Sequence, residues 1–310
     1  MNPQAVFIRG DGRVRAWWRV AFFILATAAA AIFTTNIVYG AIAATLLVGL
    51  AREYGVPLSE LGQVLGLLIG TYAALRIVDG ARDHAWARVG LGIQGLRSRP
   101  LLIGLAAGTL AILVPCGVLL AAGRLGLERQ PELQSWSSAA RGSLILLAPA
   151  ALAEELVVRG YLLTTLIDGV GKPFAVALTS VLFALLHLLN PEPSFIATGM
   201  VALAGVFLAT VRLTTGSLWA AWIAHLAWNL VQADVLHAPV SGLPLPTPVY
   251  RLVDHGPAWL TGGSWGPEGG LAAAGGMLVA TFLLVRYSPP YDMAMHMKFR
   301  FGRGDVTDER

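Results

Sequence analysis

Long apolar runs separated by short polar connections recur along the whole chain. They cover roughly 17–50, 59–79, 100–122, 142–167, 173–190, 194–213, 217–236 and 269–286. Each approaches or exceeds the about 20 residues that one helical crossing needs. The pattern therefore predicts an all-α polytopic membrane protein with about eight transmembrane helices. The first run is long for one crossing and reads as a single tilted helix, with Trp17 and Trp18 as its interfacial belt. Pro100 and Pro173 open two later helices, where a missing N–H is harmless. Asn190-Pro191-Glu192-Pro193 and Thr215-Gly216 are turns between spans.

This divides the chain into an N-terminal segment (1–16), three helices with their connections (17–136) and a four-helix core (137–236). A Pro- and Gly-rich connection (237–268), a last helix (269–286) and a polar tail (287–310) follow. The connection is the longest, and is expected to lie as a loop or lid over one membrane face.

Composition agrees. Hydrophobic residues make up 56% and charged residues 13%, against about 25% charged in soluble domains; mean hydropathy is +0.66. The net charge of +4 does not signal nucleic acid, because the basic residues sit in short membrane-flanking loops. With eight crossings, only Arg52, Arg124, Arg129, Arg141 and Arg251 fall opposite the termini. Arg159 lies within a span, and every other Lys and Arg falls on the termini side. That bias predicts cytoplasmic termini. The single cysteine, Cys116, excludes an intrachain disulfide. The first run is too long for a signal-peptide h-region, so no cleavable signal is expected.

Against this background one octapeptide stands out in the fourth run: Glu154-Glu155-Leu156-Val157-Val158-Arg159-Gly160-Tyr161. An acidic or basic side chain at mid-membrane costs about 2.5–3.5 kcal/mol even on insertion scales, so such residues face protein or water and usually mean function. Glu155 and Arg159 are i,i+4 neighbours that can neutralise one another. Glu154 is turned about 100° away and left unpaired. Pro149, one turn earlier, predicts a bend there. The fifth run carries Phe183 one turn before His187, and the seventh carries His225 and Asn229 on one face.

A carboxylate, two imidazoles and a carboxamide from three helices suit hydrolysis. Glu154 and one imidazole can hold and deprotonate a water, while the other imidazole and the amide stabilise an oxyanion. Alternatively Glu154, His187 and His225 could bind Zn²⁺, whose open position would activate the water. Each residue also has a plainer explanation: a proton-relay or gating carboxylate for Glu154, an interfacial histidine at 187, interhelical glue at His225 and Asn229.

The ordered set Glu154-Glu155-x-x-x-Arg159, Phe183-x-x-x-His187 and His225-x-x-x-Asn229 resembles the CPBP family, the CAAX proteases and bacteriocin-processing enzymes also called Abi. The resemblance covers residues 140–236 and implies an eight-helix intramembrane endopeptidase. It carries Glu154 over as the base that activates water, with His187 beside it. His225 and Asn229 match the oxyanion positions, and Glu155, Arg159 and Phe183 the supporting ones. Members are often labelled metalloproteases, whereas the eukaryotic CAAX enzymes look glutamate-dependent without metal; the metal-free version is favoured here. Eukaryotic members cleave prenylated tails, and bacterial relatives are linked to peptide maturation or bacteriocin self-immunity. The Ala-, Gly- and Arg-rich composition looks bacterial, which points to the inner membrane and to a membrane-associated peptide or protein substrate, with lipid as the other partner.

Other signatures do not hold. No His-Glu-x-x-His occurs. Gly302-Arg303-Gly304-Asp305 resembles an aspartyl-protease motif, but lies in the polar tail with its Arg-Gly-Asp tripeptide. Ser217 precedes a helix, where an N-cap explains it. The rivals to a protease are a bacteriocin-immunity or binding protein without catalysis, and a proton-coupled transporter, which would be expected to show internal repeats.

Overall fold

The computed structural model describes residues 4–43, 58–81, 85–131 and 135–287. The helices are α1 (Ala16–Ala43), α2 (Leu58–Ala73), α3 (Ser98–Ala121), α4 (Trp136–Glu155), α5 (Leu163–Val170), α6 (Lys172–Leu186), α7 (Phe195–Thr215), α8 (Leu218–Leu230) and α9 (Leu271–Tyr287). Wider π turns extend α2 over Ala74–Val78 and α8 over Val231–Val235, and join α4 to α5 over Leu156–Leu162. Five helices are long and apolar enough to cross a membrane: 16–42, 58–78, 98–121, 172–189 and 195–215. The chain is a multi-pass membrane protein. The helical runs 136–170, 218–235 and 271–287 stand where the other crossings are expected.

Local sequence sets the boundaries. Ser135, Ser194 and Ser217 cap α4, α7 and α8 by accepting from the backbone N–H three residues on. Gly171 at φ 82° ends α5, and Pro173 starts α6. Ser217 Oγ also donates to the Gly95 carbonyl at 2.8 Å and the residue is fully buried, which leaves it a cap.

Two pairings rest on missing side chains. A Cβ at Gly66 of α2 would lie 2.2 Å from the Ala31 Cα of α1, and one at Gly108 of α3 would lie 2.0 Å from the Ala224 carbonyl oxygen of α8. Such close backbone approach replaces the hydrophobic driving force that helices lack in lipid. It seats α8 firmly, and α8 carries His225. The main core joins α3, α6, α7, α8 and α9 around Ile112, Phe183, Phe207, Trp228 and Met277.

A polar cluster locks α1 to the rest. Arg19 grips Asp79 through Nε at 2.7 Å and NH2 at 3.1 Å, and reaches Asp168 at 3.2 Å. Tyr161 donates to Asp79 at 3.0 Å, and Arg88 stands 3.4 Å from it.

Several expectations need correction. The fourth helical run is longer than 142–167, extending over 136–170, and its irregularity lies past Pro149, at the 156–162 turns, where Gly160 leaves helical geometry with ψ −114°. Pro149 sits inside α4, which runs unbroken through it. The fold is all-α as expected, with one short pairing in its connections: β1 (Leu125–Arg129) runs antiparallel to β2 (Tyr250–Asp254), joined by the Glu128–Arg251 ion pair at 2.6 Å. The long connection is therefore built rather than loose, with β2 and a short helical turn at Ala258–Thr261. Residues 44–57 of the first run and its loop, Arg52 and Arg82 among the orienting charges, and the tail from 288 with its Gly302–Asp305 motif lie outside the described residues.

Candidate active site

The octapeptide sits where α4 gives way to π turns, an irregularity that in membrane and soluble helices alike recurs at functional sites. Its two glutamates end in opposite surroundings. Glu155 and Arg159 are both fully buried. Arg159 NH1 donates to Glu155 Oε1 at 2.8 Å, its NH2 donates to the Gly205 carbonyl of α7 at 3.3 Å, and its guanidinium lies 4.1 Å from the Phe183 ring centroid. Phe183 in turn packs against both imidazoles, tilted to His187 at 4.5 Å and edge-to-face to His225 at 6.0 Å between ring centroids. The second Glu, the Arg and the Phe form one block beneath the histidines.

Glu154 has a 39% exposed side chain, but its Oε2 is buried and receives no hydrogen bond. Two imidazole nitrogens face that oxygen: His187 Nε2 at 3.7 Å and His225 Nε2 at 3.9 Å. The far side of each ring decides what those nitrogens are. His187 Nδ1 lies 2.8 Å from the Phe183 carbonyl, which can only accept, so Nδ1 carries a hydrogen. His225 Nδ1 lies 3.0 Å from Glu155 Oε1, a carboxylate already held by Arg159, so it too donates. In the neutral rings both Nε2 atoms therefore present lone pairs to Glu154. Three acceptors converge with no donor among them, at separations too long for direct hydrogen bonds.

Asn229 makes no side-chain hydrogen bond among the described residues. It lines, with His187, His225 and Phe183, a cavity of about 30 Å³, enough for a water or two. Glu154 is not among the residues lining this cavity. Of the expected set, His187, His225 and Asn229 line the cavity, and Glu154 faces the two imidazole Nε2 atoms.

Glu154, His187 and His225 offer the donor types a Zn²⁺ ion takes. Among the described residues, however, no three His, Cys, Asp or Glu side chains gather closely enough to hold one ion. No step is derived through a metal.

Two cavity residues escaped the sequence reading: Ser241 and Glu268, both from the 237–268 connection. An acidic residue flanked by Gly266, Pro267 and Gly269 reads as a solvated turn. The available signal was Gln232, a polar side chain seven residues beyond His225 in an apolar helix, fully buried and in need of a partner.

The family model described as Type II CAAX prenyl endopeptidase Rce1-like matches residues 136–231. No curated protein and no solved structure matches the chain. The matched segment runs from the start of α4 to the first residue after α8 and contains Glu154, Glu155, Arg159, Phe183, His187, His225 and Asn229.

Proposed function

From an Rce1-like domain at residues 136–231, consistent with the CPBP family, we propose that the chain is an intramembrane endopeptidase of the CAAX protease type. We propose further that it acts by carboxylate-activated water without a metal. The observation that carries this reading is the donorless Oε2 of Glu154 facing two imidazole nitrogens at 3.7 and 3.9 Å.

A water in that gap donates one hydrogen to Glu154 and the other to an imidazole Nε2. As its oxygen attacks the peptide carbonyl carbon, Glu154 takes the proton, and the C=O π pair moves onto the carbonyl oxygen. Asn229 donates from its free carboxamide to that oxyanion. His225 joins it when Nε2 carries a proton, its ring held in line by Glu155. Collapse of the tetrahedral intermediate breaks the C–N bond, and the proton that Glu154 took from water passes to the leaving nitrogen. The products are a carboxylate and an amine. Phe183 and Arg159 fix the histidines from beneath and touch no reacting atom.

The substrate is proposed to be a peptide or protein already held at the membrane, since the site lies among lipid-facing helices. The test is profiling of new protein termini in membranes from cells producing the wild type or Glu154→Gln. Cut sites present with the wild type and absent with the variant are expected. Identical profiles would overturn the protease reading in favour of a binding protein. Synthetic peptides spanning those sites, with and without a prenyl group, then give the substrate class.

A further inference from the structure

Glu268 lines the catalytic cavity but touches none of its catalytic side chains. It belongs to the 237–268 connection, and its carboxylate accepts four hydrogen bonds, all from neutral donors. Oε1 takes the Ser241 N–H at 2.6 Å and the Ser241 hydroxyl at 2.7 Å. Oε2 takes Trp228 Nε1 at 2.7 Å and Gln232 Nε2 at 2.8 Å. Its own N–H returns a bond to Gln232 Oε1 at 3.3 Å. Trp228 and Gln232 follow His225 by three and seven residues, and Asn229 follows it by four, so carboxylate and oxyanion groups share one helix face.

The other end of this clamp reaches the helix of His187. Asn190, whose N–H closes the turn on the His187 carbonyl at 3.1 Å, donates from Nδ2 to the Ser241 carbonyl at 3.0 Å. Ser241 itself is a non-glycine residue at φ 50°, a conformation that persists only where surroundings hold it. Its N–H and hydroxyl are the two groups that Glu268 holds. One chain of bonds thus runs from α8 through Trp228 and Gln232 to Glu268, then Ser241 and Asn190, and ends beside His187.

We infer that Glu268 is a positioning residue: through Ser241 and Asn190 it sets the separation between His187 on one helix and His225 with Asn229 on the other. It acts as an acceptor at all four contacts. An amide there has one accepting oxygen, so its NH2 must face either the Ser241 N–H or the Trp228 N–H, neither of which can accept. Glu268→Gln therefore opens one arm of the clamp whichever way it turns. Glu268→Asp keeps every acceptor but draws them back by one methylene.

The inference rests on the hydrolytic reading for its kinetic arm alone. That arm uses the peptide that the wild type cuts in the terminus profile, in liposomes with the full chain. Glu268→Gln is expected to lower kcat about 10²-fold with KM changed by about twofold or less, and Glu268→Asp to recover part of the loss. The second arm needs no substrate: the ring resonances of the six histidines in labelled protein, with His187 and His225 assigned by their Gln variants. Both should move in Glu268→Gln, less in Glu268→Asp, and stay put in Glu192→Gln, a change in an exposed turn. If Glu268→Gln does not accumulate, Ser241→Ala, which removes one donor, must shift the same two resonances. Fixed His187 and His225 resonances, with only His237 of the connection moving, would overturn the inference. Cleavage retained by Glu154→Gln would instead overturn the protease reading and leave the histidine arm to decide Glu268.

Discussion

His225 is held by Glu155, not by Glu154: its Nδ1 donates to Glu155 Oε1 at 3.0 Å, the same oxygen that Arg159 NH1 reaches at 2.8 Å. The neighbouring glutamate receives no hydrogen bond on its buried oxygen. Adjacent residues of one type thus do opposite work. Glu155 anchors Arg159 and His225 through Oε1 alone, its own buried Oε2 also lacking a partner, whereas Glu154 holds neither of them by a hydrogen bond.

The two should separate cleanly on mutation. Glu155→Gln leaves the Arg159 guanidinium buried without its counter-charge, and breaking such a pair costs about 3–5 kcal/mol. It also frees the His225 ring to turn. Glu154→Gln removes no bond from the folded chain, so it should abolish cleavage at unchanged stability. Thermal unfolding in detergent, set beside the cleavage assay, checks this. Equal melting losses for both variants would refute the division of labour.

Metal dependence is decided by treatment with 1,10-phenanthroline and with EDTA. The proposed chemistry runs on Glu154, the imidazoles and Asn229, so cleavage should survive both chelators and gain nothing from added Zn²⁺. Loss of activity on chelation, restored by Zn²⁺, would replace the water between Glu154, His187 and His225 with a metal-bound one.

A third prediction concerns Asp79. It accepts two bonds from Arg19 and one from Tyr161, has Arg88 beside it, and its side chain is 3% exposed. Asp79→Asn should therefore destabilise by about 3–5 kcal/mol, as for other buried pairs that lose one charge. Asp168→Asn loses one contact to Arg19, from a carboxylate 18% exposed, and should cost under about 1–2 kcal/mol, since water partly replaces it. Denaturant or thermal melts of both in the same detergent give the comparison, and similar losses would contradict it.

How far the sequence reached follows from what each feature depends on. Spans are set by local hydropathy, and Glu155–Arg159 by helical spacing; both were legible. So was the inward facing of His187, His225 and Asn229, which line one cavity, since polar residues inside apolar runs must face something. The Glu155–His225 bond was not, because it depends on the relative rotation of α4 and α8, which no local pattern encodes. Asp79 was passed over because a carboxylate next to basic loops looks like solvated charge. The pairing of β1 with β2 joins residues on far-apart connections, and the role of Glu268 depends on that long connection folding back to line the cavity. The departure from helical geometry at Gly160 was not legible either, because nothing local marks it.

Orientation is the last expectation that carries a consequence, since it fixes the side from which substrate arrives. Charge bias puts Arg97 and Arg99 on the termini side and the turn at 190–193 on the other. The connection that supplies Ser241 and Glu268 to the cavity lies beside that turn, Gly242 being packed so closely on Pro191 that a Cβ would meet its carbonyl oxygen at 2.5 Å. The native Cys116 is 1% exposed and can be replaced by Ala to give a silent background. Asn190 holds Ser241 and should be left alone, so the reporter cysteines belong at Glu192 and Arg99, both exposed. In intact cells a membrane-impermeant maleimide should label Glu192→Cys and spare Arg99→Cys until the membrane is opened. The reverse pattern would put the cavity, this connection and the termini on the opposite faces, and would make a cytoplasmic substrate the one to seek.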